Sequence, residues 1–230
     1  MPAGVHPGRA LVTGASSGIG ASIARRLLDD GWRVVGFDRA PPTLSANGFS
    51  SVTVDLSDAS ALSAAVAEAH DVGALVHAAG YLQVAPLGEL DAEQGAGMWR
   101  LHVHAAALLA DALAPRLPSG GRIVLIGSRT AAGAAGRSQY AATKAALVGM
   151  ARSWAIELAP RGITVNVIAP AATDTPMLHD SSRASVAPCT PPIGRFVRPE
   201  EVAALTAFVL SPEAAAITGQ QLVICGGSSL

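Results

Sequence analysis

Apolar residues along the chain fall into seven short runs, at 10–13, 32–37, 52–54, 74–77, 122–126, 163–168 and 222–224. Each is a continuous block, the pattern of strands buried on both faces of a sheet. Stretches with helical spacing lie between them. Ile19, Ile23 and Leu27 recur four apart, with Ala24 and Leu28 beside them, and Gly31 suits a C-cap. Leu62 and Val66 mark a helix over 58–70. A long helix is expected over 93–114, near Pro115, and another over 139–159, ended by Pro160 and Gly162. A last helix over 199–210 opens with Pro199 and two glutamates. Strands alternating with helices predict an α/β class: a doubly wound, about seven-stranded parallel sheet with helices on both faces.

No repeat, charge block or long linker breaks the 230 residues, so one domain is expected over 1–230. Half the residues are hydrophobic and 14% are charged, which supplies a core and excludes a disordered chain. The formal net charge of −1, without a basic cluster, argues against nucleic-acid binding and electrostatic membrane attachment. No apolar run reaches the ~18 residues of a membrane span, and residues 1–8 do not read as a signal peptide. Two cysteines, Cys189 and Cys225, suit neither a disulfide scaffold nor a four-thiolate metal site, and the histidines lack ligand spacing. No metal is expected, and the cytoplasm is the expected compartment. All basic residues but one are arginine; the lone lysine is Lys144, four residues after Tyr140.

Thr13-Gly14-Ala15-Ser16-Ser17-Gly18-Ile19-Gly20 joins the first strand to the first helix. Glycines let the backbone approach a ligand, and free N–H groups at a helix start attract a pyrophosphate. Three glycines in a turn also serve as a plain structural turn; the place directly after the first strand favours a Rossmann dinucleotide site. Asp38, eighteen residues past Gly20, ends the second strand. A carboxylate there accepts ribose hydroxyls and repels a 2′-phosphate, which favours NAD over NADP. Arg39 beside it could instead hold that phosphate, and Asp38 could be a solvated strand-end acid.

Thr13-Gly14-x3-Gly18-x-Gly20, Asp55-Leu56, His77-Ala78-Ala79-Gly80, Ser128, Tyr140-x3-Lys144, Asn166-Val167-Ile168-Ala169-Pro170 and Gly226-Gly227 follow one another in an order that resembles the short-chain dehydrogenase/reductase family. The likeness runs from about residue 8 to residue 230. It is nearest to NAD-linked members resembling 2,3-dihydro-2,3-dihydroxybenzoate dehydrogenase and to 3-oxoacyl-carrier-protein reductases. The resemblance implies that the loop Gly14, Ser16, Ser17, Gly18, Ile19 and Gly20 holds the pyrophosphate, with Asp38 and Arg39 at the adenosine. Asp55 and Leu56 would border the adenine, and Ala78, Ala79 and Gly80 the adenosine ribose. Ile126 would lie near the nicotinamide ribose. Pro170, Ala172 and Thr175, with Met177 next to them, would fix the nicotinamide.

Tyr140 and Lys144 share one helix face, a turn apart. A tyrosine ionises near pH 10, and a neighbouring ammonium favours its phenolate. Tyr140 can then take a proton from an alcohol as hydride leaves, or return it in reduction. Lys144 also suits the nicotinamide ribose, and Ser128 the substrate oxygen. The family usually carries an asparagine in the helix over 93–114, bound through water to the lysine. His102 takes that position here, with His104 as the competing register. His102 is expected to face Lys144 as a neutral ring across a water, or else to be a polar residue at a helix interface. His77 stands where an asparagine is common and reads as structural; Cys225 replaces an aspartate.

The expected activity is NAD-dependent hydride transfer between the nicotinamide and a secondary alcohol or ketone, a small-molecule substrate. A non-catalytic dinucleotide-binding subunit and a reductase of carrier-bound 3-oxoacyl groups are the alternatives. For the carrier, Arg129, Arg137 and Arg195 are the only basic candidates. A loop over about 177–193, with Met177, Leu178, Val186 and Pro188, should cover a partly apolar pocket. Ala105, Ala106, Ala107, Ala110 and Ala112, with Ala141, Ala142, Ala145 and Ala146, suit close helix contacts in a homotetramer.

Overall fold

The computed structural model describes residues 8–180 and 188–230. Its strands are β1 (Arg9–Thr13), β2 (Arg33–Asp38), β3 (Phe49–Thr53), β4 (Val72–His77), β5 (Arg122–Ile126), β6 (Thr164–Pro170) and β7 (Gln221–Ile224). All pair in parallel in the order β3-β2-β1-β4-β5-β6-β7. The strand order reverses direction between β1 and β4, and the crevice at such a point is where α/β sheets bind ligands. Successive residues of β1 point to opposite faces. Leu11 joins a core with α2 (Ala59–Ala67), α4 (Ala105–Leu113) and α5 (Ser138–Leu158), whereas Ala10 and Val12 join one with α1 (Gly18–Asp29) and α6 (Pro199–Leu210).

The five inner strands are the apolar blocks read from the sequence. The edge strands differ. β3 begins at Phe49 and ends at Thr53, not at 52–54, and most of it is exposed. It is held by main-chain pairing from Val34–Phe49 to Asp38–Thr53, which needs no apolar block. Helix ends follow local chemistry. Asp58 accepts the N–H groups of Ser60 and Ala61 to open α2. Gly31, at φ +86°, closes α1 while Trp32 N–H returns to the Leu27 carbonyl. Asn166, fully buried, donates to the Ile217 carbonyl and accepts Gln220 N–H, which ties β6 to the approach to β7.

The long helix expected over 93–114 forms, with a π-wound turn inside it. α3 (Ala92–Trp99) leads into a π-wound turn over Arg100–His104, and α4 follows. A π turn disturbs the regular carbonyl ladder, and side-chain donors insert at such places. Here His77 Nε2 reaches the Leu101 carbonyl at 3.1 Å. His77 Nδ1 meets Thr13 Oγ1 at 3.0 Å, and that oxygen also accepts the N–H groups of Ala78 and Ala79. With both lone pairs occupied, the Thr13 hydroxyl gives its proton to Nδ1, so Nε2 carries the ring proton to Leu101. His77 is thus a neutral strut between β1, β4 and the π turn.

Burial, followed by the Lys144 charge, pushes His77 down to about 3. The unfolded ring titrates near 6.5, so between these values the unfolded chain holds a proton that the folded chain lacks. Stability is complete above pH 6.5 and falls as pH drops, by about 1.4 kcal/mol per pH unit from this residue. We expect denaturant titrations between pH 7 and 4 to show this slope, and His77→Asn to make it shallower. An unchanged slope in the variant would remove His77 as its source.

Candidate active site

A cavity of about 1240 Å³ opens outside the carboxyl ends of the strands. At one end the chain leaves β1 through Gly14, whose φ of +68° suits glycine and where a Cβ would lie 2.9 Å from the Ala79 backbone. A Cβ on Gly20 would overlap the Gly14 carbonyl oxygen, so α1 can start this close to β1 only with glycine there. Ser17 precedes α1 without a side-chain cap, and the first turn carries no acid. The leading N–H groups are therefore available to an anion, and this cradle fits a pyrophosphate.

Asp38 lies at the same end. Its Oδ2 accepts Ser16 N–H and its Oδ1 accepts Ala40 N–H, each at 3.0 Å. Asp55 accepts both the N–H and the hydroxyl of Ser57, and these bonds hold its carboxyl below the usual range. Arg39, Leu56, Ala78, Ala79 and Gly80 line the wall between this end and the chemistry end. Ile126, Pro170, Ala172, Thr175 and Met177 line it as well.

Ser16 is a correction. It does not line the cavity: it is buried, its N–H is taken by Asp38, and its hydroxyl donates to the Ala40 carbonyl. Asp38, twenty-two residues later, draws that N–H away from the ligand side. Ser16 braces the loop that its neighbours present.

Ser128, Tyr140 and Lys144 also line the cavity. Ser128 caps a short turn by accepting Thr130 N–H at 3.1 Å, which leaves its own hydroxyl proton to donate elsewhere. Tyr140 and Lys144 lie on α5, and Lys144 Nζ is 5.8 Å from the Tyr140 ring centroid. Lys144 is only 4% exposed. Its Nζ donates to the Ile126 carbonyl at 2.9 Å, pinning α5 to the end of β5. Burial pushes Lys144 down to about 8.

His102 and not His104 takes the inward position: His102 is fully buried and His104 is exposed. The expected water-bonded ring is a second correction. His102 Nε2 accepts Tyr81 N–H at 3.1 Å, and Nδ1 lies 2.8 Å from Thr143 Oγ1. Both ring nitrogens are engaged within the protein, and the ring does not line the cavity. Burial, then the Lys144 charge, pushes its pKa well down, so it is neutral. Sequence reasoning missed Tyr81, Gln83, Gln94 and Arg100 on the wall. Tyr81 directly follows the Gly80 motif; the others have no local signal. Arg129 and Arg137 line the cavity too, whereas Arg195 is paired with Glu201. Val186 lies outside the described residues, as do residues 181–187 of the expected loop.

The family described as enoyl-(acyl carrier protein) reductase matches residues 14–229. The chain belongs to the short-chain dehydrogenase/reductase family. A 3-oxoacyl-[acyl-carrier-protein] reductase of Escherichia coli is 38% identical, over 95% of this chain and 96% of that one. A short-chain dehydrogenase of Burkholderia cenocepacia, crystallised with NADP, is 36% identical with a TM-score of 0.84, covering 96% of this chain and 98% of its own. A 3-ketoacyl-(acyl-carrier-protein) reductase of Brucella melitensis, crystallised with NADH, is 29% identical with a TM-score of 0.85 and the same coverage. This member of the family is a hydride-transferring oxidoreductase that works with a nicotinamide dinucleotide.

A charged Lys144 in this setting costs stability. Unfolded, it titrates near 10.5, so between about 8 and 10.5 the unfolded chain holds the extra proton and stability rises with pH. At neutral pH the cost is fully present, on the order of 3 kcal/mol. Lys144→Met keeps the length and removes the charge. Turnover should be lost while the melting temperature at pH 7 equals or exceeds that of the wild type. A drop of several degrees would show that the ammonium supports the fold instead of burdening it.

Proposed function

We propose that the enzyme transfers hydride between NAD(H) and a secondary alcohol or ketone, with Tyr140 as acid and base. The observation that carries this is a wholly buried ammonium, Lys144, beside Tyr140 and Ser128 at one end of a cavity whose other end is a capless helix start and Asp38. The bound dinucleotide supplies or accepts the hydride. Tyr140 Oη gives a proton to the carbonyl oxygen in reduction and takes it from the hydroxyl in oxidation. Ser128 Oγ turns its free proton to the substrate oxygen, where charge develops. Lys144 spends one N–H on Ile126 and keeps two, suited to ribose hydroxyls; its charge favours the Tyr140 phenolate.

Asp38 supports NAD, because its carboxylate is fixed by two backbone N–H groups at the adenosine end and repels a 2′-phosphate. The relatives include one crystallised with NADP and one with NADH. Their names also favour a second reading, reduction of carrier-bound 3-oxoacyl groups. Of the basic candidates for a carrier, Arg195 pairs with Glu201, Arg129 donates to the Ser228 carbonyl, and both Arg129 and Arg137 line the cavity wall.

A homotetramer is the proposed assembly. Ala105, Ala106, Ala110 and Ala141 pack within the chain, but Ala142, Ala145 and Ile156 leave an exposed apolar face on α5. Among the described residues no helix is long and apolar enough to cross a membrane. The two free thiols, Cys189 and Cys225, fit a reducing cytoplasm.

Tyr140→Phe should lower turnover about 10²- to 10⁴-fold, the usual range for a lost acid/base group, with NADH binding within a few-fold. Activity above a tenth of wild type would remove Tyr140 from the acid/base role. Fluorescence titration should show NADH binding more tightly than NADPH; the reverse order would overturn the reading of Asp38.

A further inference from the structure

Three hydrogen bonds run in one direction beneath the chemistry end of the cavity. Tyr81 N–H donates to His102 Nε2, His102 Nδ1 meets Thr143 Oγ1, and the Thr143 hydroxyl reaches the Tyr140 carbonyl at 2.8 Å. The two ends fix the direction, because a backbone N–H only donates and a carbonyl only accepts. Nε2 is therefore bare, Nδ1 carries the ring proton, and the Thr143 hydroxyl donates to the Tyr140 carbonyl. Each bond but the last joins separate segments: the turn after β4, the π turn and α5.

Two further contacts converge on the same ring. The imidazole stands edge-on to the Tyr140 ring, with centroids 5.6 Å apart and planes at 89°. A Cβ placed on Gly80 would lie 3.0 Å from His102 Nε2 and 3.5 Å from Lys144 Nζ, so the glycine backbone is the spacer between imidazole and ammonium. His102 and Thr143 are 0% and 1% exposed, and neither lines the cavity.

We propose that His102 and Thr143 are positioning residues for Tyr140: together they set the rotation of the first turn of α5 against the Gly80–Tyr81 turn, and no proton moves through them. This rests on Tyr140 as the acid/base. An sp² nitrogen has one lone pair, and that of Nε2 is held by Tyr81 N–H. Passing a proton through the ring would require breaking one of its two bonds in a site without exposed surface. The ring therefore fixes the phenol twice, through the main chain of its residue and along the edge of its ring. Burial first, and the Lys144 charge second, disfavour an imidazolium here, so the ring stays neutral and its bond from Tyr81 N–H leaves the one proton on Nδ1.

Two measurements test this. In the ¹⁵N spectrum of the wild type, His102 should be protonated at Nδ1 and bare at Nε2, unchanged from pH 8 to pH 6. Thr143→Val keeps the side-chain shape but removes the hydroxyl. Its kcat should fall about 10- to 100-fold, the scale of an ångström-level misplacement, with KM for a ketone and Kd for NADH within about threefold. Thr143→Ser should restore kcat. The proposal is overturned by an Nε2-protonated or titrating His102, by wild-type kcat in Thr143→Val, or by a loss that serine does not rescue. If the valine variant does not fold, the tautomer and the serine variant decide it. Should Tyr140→Phe remain active, the acid/base reading fails separately, while the tautomer result stands.

Discussion

A single, almost fully buried ammonium on the cavity wall governs the groups packed around it. Lys144 is packed where α5 meets the end of β5 and reaches the cavity wall, with one N–H bonded to the Ile126 carbonyl and the Gly80 backbone against its head. An ammonium in such a place is costly, and its pKa is pushed down to about 8 in consequence. The charge lies beside Tyr140, which shares its helix face, with Nζ 5.8 Å from the ring centroid. The helix spacing, the β5 carbonyl and the glycine at the turn after β4 are each constrained by the need to keep that charge in place.

The same charge dictates the state of its neighbours. His77 and His102 are both buried within reach of Lys144, and both are held neutral by burial first and by that charge second. Neutral rings have one donor and one acceptor nitrogen, so the two histidines bear opposite tautomers, assigned by their partners. His77 accepts from the Thr13 hydroxyl and donates to the Leu101 carbonyl; His102 accepts from Tyr81 N–H and donates to Thr143 Oγ1. The π turn between α3 and α4 supplies both the Leu101 carbonyl and His102. The end of β1, the π turn and α5 are thereby joined through side chains without an additional charge.

Much of this was legible in the sequence because it rests on local rules. The inner strands are apolar blocks since both their faces are covered, and Tyr140 and Lys144 fall on one face by helix geometry alone. The glycines of the phosphate loop stand where close backbone contact requires them. What was not legible depends on partners far along the chain. β3 is an edge strand fixed by pairing with β2, not by its own Phe-Ser-Ser-Val-Thr pattern. Ser16 turns inward because of Asp38, and the helix over 93–114 takes a π-wound turn where His77 meets Leu101. The role of His102 turned on Thr143, a residue with no motif of its own.

The central claim is that Tyr140 and Ser128 converge on one substrate oxygen beside a buried Lys144. A crystal structure of the complex with NADH and an unreactive ketone analogue tests it most directly. The carbonyl oxygen should lie within about 3 Å of both Tyr140 Oη and Ser128 Oγ, the reach of a productive hydrogen bond, with Lys144 Nζ still on the Ile126 carbonyl. A carbonyl bound out of reach of Tyr140, with NADH in place, would contradict the claim.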